Sequence, residues 1–287
     1  MALVYNMRAL AVSDSSYVFW TDSEPDLDGT NAPEAVVTDS IVLYSVGGTA
    51  TGGGVVASIT PHDTTHSPEV LYNFADGSRF TDSSGNGLDL QASSGTVLYA
   101  DILDLQMINI NGSNAYRTTN DAALEITGAI TIECICIPPE PLSGSNDMIL
   151  VQFQESGGDE STNILWGVRV KQTTGYWSWY QQYSGAVASE ATSTIVAGNE
   201  IQHLAMTRAS NGLDISFYVN GVLEDTASCP NVATGGTTSK LRLGSNAGNT
   251  VRFNGHIGSL KVVASELSAD DIKAEYNRTL GPLLGTI

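Results

Sequence analysis

The chain has 287 residues, with 12 basic and 31 acidic side chains and a formal net charge of −19. Such a charge repels nucleic acid and anionic lipid, which excludes both as direct partners, and the length allows one large β domain with an extension or two small domains. Apolar side chains make up 41% of the chain, enough for a packed core, so global disorder is excluded as well. Charged residues are sparse, glycine is frequent, and Ser, Thr, Val and Ile recur in short runs, the composition of many short strands joined by tight turns.

Residues 2–12 and 17–20 read as the first strands. Arg8 inside the first apolar stretch, and the Ser13-Asp14-Ser15-Ser16 break after it, do not fit a signal peptide. No apolar run approaches the ~20 residues that cross a bilayer, so no membrane insertion is expected. Residues 35–46 and 55–60 read as further strands around a glycine-rich stretch at 47–54. That stretch lacks the Gly-Lys-Ser/Thr ending of a phosphate cradle and reads as a hairpin tip. Residues 61–68, between Pro61 and Pro68, read as a linker. His62, Asp63 and His66 have metal-ligand side chains, but the prolines oppose the helix that would bring His62 and His66 onto one face, so a solvated linker is expected. The chain therefore divides into a strand-rich segment, 1–67, and a main domain, 68–287, and a chain starting near Glu69 is expected to fold alone.

In the main domain, Asp76, Asp82, Asn86 and Asp89 surround the turn Asp82-Ser83-Ser84-Gly85-Asn86-Gly87. Oxygen ligands at short spacing in a glycine-rich loop suit Ca²⁺, the one candidate cofactor; Asx-turn chemistry explains the same residues without a metal. Cys134 and Cys136, two apart in one strand, cannot bridge each other without distortion, and Cys229 lies in a later loop. The odd count argues for reduced thiols and folding inside a cell, and is too thin for a zinc site. Glu133 is flanked by apolar residues, and Glu155, Asp159 and Glu160 sit in a glycine-rich turn.

The aromatic run at 176–183 follows. Alternation puts Trp177, Trp179 and Gln181 on one strand face and Tyr176, Tyr180 and Gln182 on the other. One reading makes the tryptophans core. The other makes Tyr176, Trp177, Trp179, Tyr180 and Tyr183 a sugar platform, with aromatic faces against pyranose rings and amides on hydroxyls. Leu213, Ile215, Phe217 and Val219 alternate with polar residues, and Asn211-Gly212 and Asn220-Gly221 bracket them as type I′ turns. His203 and His256 read as satisfied strand histidines. Ser268 to Asp271 is a capping box, Ile272 and Tyr276 share one helix face, and Gly281-Pro282 stops the helix.

The run from His203 to Leu223, with Tyr218-Val219-Asn220-Gly221 at its end, resembles the centre of laminin G-like, concanavalin A-like jelly rolls. So do Asp82 to Gly87, Ile108 to Gly112, Ala129 to Pro139, Lys240 to Ser245 and Phe253 to Asn277, in family order; Ile135 stands where the family usually has Trp. The resemblance implies an all-β fold: an antiparallel two-sheet jelly-roll sandwich preceded by the strand-rich segment and closed by one short helix. It is also similar to bacteriophage proteins that carry such a domain on a capsid or tail surface. This implies a non-enzymatic virion structural protein, made in the host cytoplasm without a signal peptide and placed at the virion surface. Residues 1–67 would dock on capsid or tail subunits or build a homo-oligomer, and the jelly roll would meet a host-surface glycan. A carbohydrate-binding module of a cellular protein is the first alternative. A jelly-roll glycanase is the second, and the chain lacks the Glu-x-Asp-x-x-Glu strand such enzymes use.

Overall fold

A computed structural model describes residues 7–13, 16–21, 62, 64, 66–74, 80–94, 98–102, 105–111, 115–118, 122–138, 147–154, 163–183, 186–198, 200–211, 214–228, 239–246 and 252–280. The chain forms two compact units, Met1–Ser58 and Ile59–Ile287. In the first, β1 (Met7–Ser13) pairs antiparallel with β2 (Ser16–Thr21), Met7 opposite Thr21, with a bulge between Ala11 and Ser13. The expected strands at 35–46 and 55–60 and the glycine-rich stretch lie outside the described residues.

The second unit is the expected two-sheet sandwich. Its strands are β3 (Val70–Asn73), β4 (Gln91–Ser94), β5 (Leu98–Ile102), β6 (Leu105–Asn111), β7 (Ala115–Arg117), β8 (Ile130–Ile137), β9 (Met148–Gln154), β10 (Ile164–Val170) and β11 (Tyr176–Tyr183). They continue with β12 (Ala186–Val196), β13 (Gln202–Arg208), β14 (Asp214–Val219), β15 (Val222–Ser228), β16 (Lys240–Leu243) and β17 (Asn254–Val263), and α1 (Ala269–Thr279) closes the chain. One sheet runs β12-β11-β10-β9-β16-β7-β4; the other runs β15-β14-β13-β8-β17-β6-β5, with β3 on β17. All the pairings are antiparallel. Trp166, Trp177, Trp179 and Phe153 from the first sheet meet Ile132, Cys134, Leu204, Met206 and Phe217 from the second in one apolar core. Cys134 and Cys136 are both buried and free.

The turn chemistry read from sequence is present. Asn220 and Gly221 have φ of +51° and +72°, the left-handed pair of a type I′ hairpin. A Cβ on Gly221 would stand 3.1 Å from Tyr276, because α1 lies across this hairpin. Ser268 caps α1 in a full capping box with Asp271, and Ile272 and Tyr276 are buried beneath it.

At the far end of each sheet, β12 and β15 face one another without ladder pairing. Acidic side chains of β15 bridge them. Thr192 N donates to Asp225 Oδ2 at 2.9 Å, Thr194 N to Glu224 Oε2 at 2.9 Å, and Ser189 Oγ to Ser228 O at 2.8 Å.

One expectation is corrected at the unit's start. His62 is not part of a solvated linker: it is 2% exposed. Its Nδ1 donates to Glu275 Oε1 on α1 at 2.5 Å, and its carbonyl accepts from Asn73 Nδ2 at 3.2 Å. The chain then joins the sheet, with Glu69 N donating to Val262 O at 2.8 Å. The compact unit accordingly begins upstream of 68. His62 completes a buried polar cluster under α1. Lys261 Nζ lies 3.1 Å from Glu133 Oε2 and 3.6 Å from Glu275 Oε1, and Arg278 Nη2 is 2.6 Å from Glu275 Oε1. Burial works to raise the Glu275 carboxyl, but His62, Arg278 and Lys261 outweigh it and hold the group well below the usual carboxylate range.

Candidate ligand-binding face

Alternation decides which side chains reach the outer face of the seven-stranded sheet. In β9, Val151 and Phe153 enter the core, so Gln152 and Gln154 face outward; in β11, Trp177 and Trp179 enter it, so Ser178, Tyr180 and Gln182 face outward. In β16, Leu241 and Leu243 enter the core and Lys240 and Arg242 do not. The register then lines up Gln91, Arg117, Arg242, Gln152, Gly167, Tyr180 and Glu190, one position on each of the seven strands. A shorter row, Lys240, Gln154, Ile164 and Gln182, runs beside it.

Gly167 makes room at the centre of the longer row. A Cβ there would stand 2.8 Å from Tyr180 Cε1, so the tyrosine ring lies over the glycine. Tyr180 OH donates to Gln152 Oε1 at 2.8 Å, and Gln152 Nε2 donates to Gln154 Oε1 at 2.5 Å. Arg169 stacks on the same ring, its Cζ 4.3 Å from the Tyr180 centroid, a cation–π contact. Its two terminal nitrogens reach Asp147 Oδ2 at 3.0 Å and Glu190 Oε1 at 2.8 Å. Glu190 also takes Lys171 Nζ at 2.9 Å and a hydrogen bond from Ser178 Oγ. Burial would raise the Glu190 carboxyl, but Ser178, Arg169 and Lys171 outweigh it and hold the group at about 2.

That shift has a pH signature. Glu190 is depressed from an ordinary value of 4.5, so its contribution is complete above pH 4.5 and is lost as the pH falls towards about 2. After screening by solvent at a part-exposed site it amounts to about 1 kcal/mol. Glu190→Gln is expected to flatten the fall in urea-unfolding free energy across that window by this amount; an unchanged acid limb would refute the assignment.

The sequence-derived platform residues separate. Trp177 and Trp179 are fully buried in the sandwich, and Trp177 Nε1 donates to Gln202 Oε1 at 2.6 Å. Neither ring has a face to offer a sugar, so the platform reading is corrected to core for these two. Tyr180 lies on the outer face, buried in the network just described; Tyr176 is half-buried, and the Tyr183 side chain lies outside the described residues. In the turn proposed for calcium, both Asp82 oxygens and one Asp89 oxygen accept hydrogen bonds within the protein. Asp82 Oδ1 accepts from Leu71 N at 3.0 Å and Ser84 N at 2.9 Å, and Asp82 Oδ2 from Leu88 N at 3.1 Å and Ser84 Oγ at 2.7 Å. Asp89 Oδ1 accepts from Asp82 N at 2.9 Å, and Asn86 Nδ2 donates to Glu69 O at 3.0 Å. These bonds are of the Asx-turn kind; Asp76 lies outside the described residues.

Residues 111–273 match the model of the concanavalin A-like lectin/glucanases superfamily, Laminin_G_3. The chain belongs to this superfamily. Among curated proteins no sequence matches this superfamily member. Its fold is similar to the binding domain of botulinum neurotoxin DC in complex with SialylT, at 13% identity and a TM-score of 0.56, covering 74% of this chain and 51% of that one. It is also similar to the binding domain of Paraclostridial mosquitocidal protein 1, at 16% identity and a TM-score of 0.53, covering 69% and 49%. Domain 4 of AbnA, a GH43 extracellular arabinanase from Geobacillus stearothermophilus in complex with arabinotriose, matches at 18% identity and a TM-score of 0.50, covering 72% and 97%. The chain spans about half the length of the toxin binding domains it matches.

Proposed function

We propose that this chain is a non-catalytic glycan-binding module that takes acidic sugars on the outer face of its seven-stranded sheet. The observation that carries the reading is the row from Gln91 to Glu190 across seven strands, polar at every position but Gly167; Gln152, Tyr180 and Arg242 at its centre are buried, and Gln91, Lys171, Gln182, Glu190 and Lys240 around them reach solvent. Although the chain is strongly acidic, Arg117, Arg169, Lys171, Lys240 and Arg242, five of its 12 basic residues, fall on or beside β7, β10 and β16. Arginine recognises carboxylates in bidentate fashion, which favours sugars that bear them. Similarity to a toxin binding domain in complex with SialylT and to an arabinanase domain in complex with arabinotriose supports a sugar ligand. A glycan hydrolase needs a carboxylic acid whose pKa is raised; Glu190 is shifted the opposite way, which supports binding without cleavage.

The finer reading, display on a bacteriophage capsid or tail through the N-terminal segment, rests on the family resemblance. The division of the chain after Ser58 supports it. Deleting residues 2–58 is expected to abolish incorporation into particles while leaving the second unit folded, and wild-type occupancy would overturn it. For the glycan, the test is an array of neutral and carboxylated glycans probed with the wild type and with Lys240→Gln, at a half-buried position of the same sheet face. Losing a charge-assisted contact is expected to weaken binding to carboxylated glycans about 10–100-fold with the melting curve unchanged. No binding by the wild type, or equal binding by the variant, would sink the assignment.

A further inference from the structure

The cluster beneath α1 contains more than an ion-pair network. His62, Glu133 on β8 and His203 on β13 are all buried, and each places one ligand-type atom within 4.8 Å of the others. Among the described residues, His62 Nε2, both His203 nitrogens and Glu133 Oε1 lack a hydrogen-bond partner, while Glu133 Oε2 faces Lys261 Nζ at 3.1 Å. His203 Nε2 stands 3.4 Å from Glu133 Oε1, near but not in good bonding geometry. Buried polar atoms are rarely left so; four in one place require an explanation.

We propose that His62, Glu133 and His203 form a divalent-metal site of the zinc class, which clamps the segment carrying His62 and the C-terminal helix onto the outer face of the eight-stranded sheet. The orientation of His62 is the strongest single argument. Its Nδ1–H is given to the Glu275 carboxylate at 2.5 Å, which fixes the tautomer and leaves the Nε2 lone pair directed away from that bond. This carboxylate–histidine arrangement is the usual support behind a metal-bound imidazole. Two imidazole nitrogens and one carboxylate oxygen form the donor set of Zn²⁺ and its Co²⁺ and Ni²⁺ analogues, not of Ca²⁺, which takes oxygen alone. Glu133 and Glu275 supply negative charge for a dication. Lys261, 3.1 Å from Glu133, already shares that charge, so binding depends on the histidines and not on carboxylates alone.

The competing state is a metal-free network of the same side chains. Full-length protein stripped with a chelator and titrated with Zn²⁺ alone by calorimetry is expected to bind one ion per chain, and its melting temperature to rise on loading and fall back on chelation. Co²⁺ is expected to give visible ligand-field bands. His203→Gln removes a ligand and should abolish both effects. Glu275→Gln keeps all three ligands and weakens the support behind His62, along with the pairs to Arg278 and Lys261, and should weaken Zn²⁺ binding about 10–100-fold; it decides the matter if the first variant fails to fold. Stripped wild type that takes up no Zn²⁺, or binding equal in wild type and Glu275→Gln, would overturn the site.

Discussion

Replacing Trp179 by alanine is expected to lower the unfolding free energy by about 3–5 kcal/mol. The ring is fully buried in the sandwich core beside Trp177 and Trp166, and truncation would leave a cavity that two paired sheets cannot close. Trp177 spends its indole N–H on Gln202, whereas Trp179 Nε1 has no acceptor among the described residues. Trp179→Phe therefore keeps most of the apolar burial and discards an unsatisfied donor, and it should cost less than about 1.5 kcal/mol. Urea unfolding of both variants checks the pair. An alanine variant that unfolds like the wild type but no longer binds glycan would return Trp179 to the ligand surface.

A chain starting at Glu69 is expected to be less stable than one starting at Ile59 by about 3–5 kcal/mol, both measured in chelator. Sequence alone makes Glu69 a natural start, because the family pattern opens just after it. The structure places His62 upstream of that point and buries it against Glu275, with Asn73 holding its backbone. Cutting at 69 removes one partner of a buried pair and opens Glu133, His203 and Lys261 to water. Equal melting curves for the two chains would show that the segment carrying His62 adds nothing to the fold.

The sandwich, the type I′ turn at Asn220-Gly221 and the capped helix were legible because each has a local cause: alternation, left-handed φ, a hydroxyl placed to cap. The face of Tyr180 was legible for the same reason. That Gln152, Gly167 and Arg242 stand opposite one another was not, because register across strands distant in sequence is set by the whole sheet. The histidine cluster was missed for a related reason. His62, Glu133 and His203 come from three separate segments, and the prolines around His62 suggested solvent. One clue was available. Ile130 to Ile137 is apolar at nearly every position, the pattern of a strand covered on both faces. A glutamate in such a strand must be buried and needs partners.

The carboxylates that join β12 to β15 bear on how the protein behaves when crowded. A terminal strand with free amides is a template on which a second chain can add, and repeated addition gives fibres. Here Asp225 and Glu224 occupy the amides of Thr192 and Thr194, so an incoming strand would have to displace charged acceptors already in place. Val187, Val196, Val222 and Leu223 lie exposed along the same two strands and would otherwise make a sticky seam. Copies held side by side at high local density can then touch along this margin without exchanging strands.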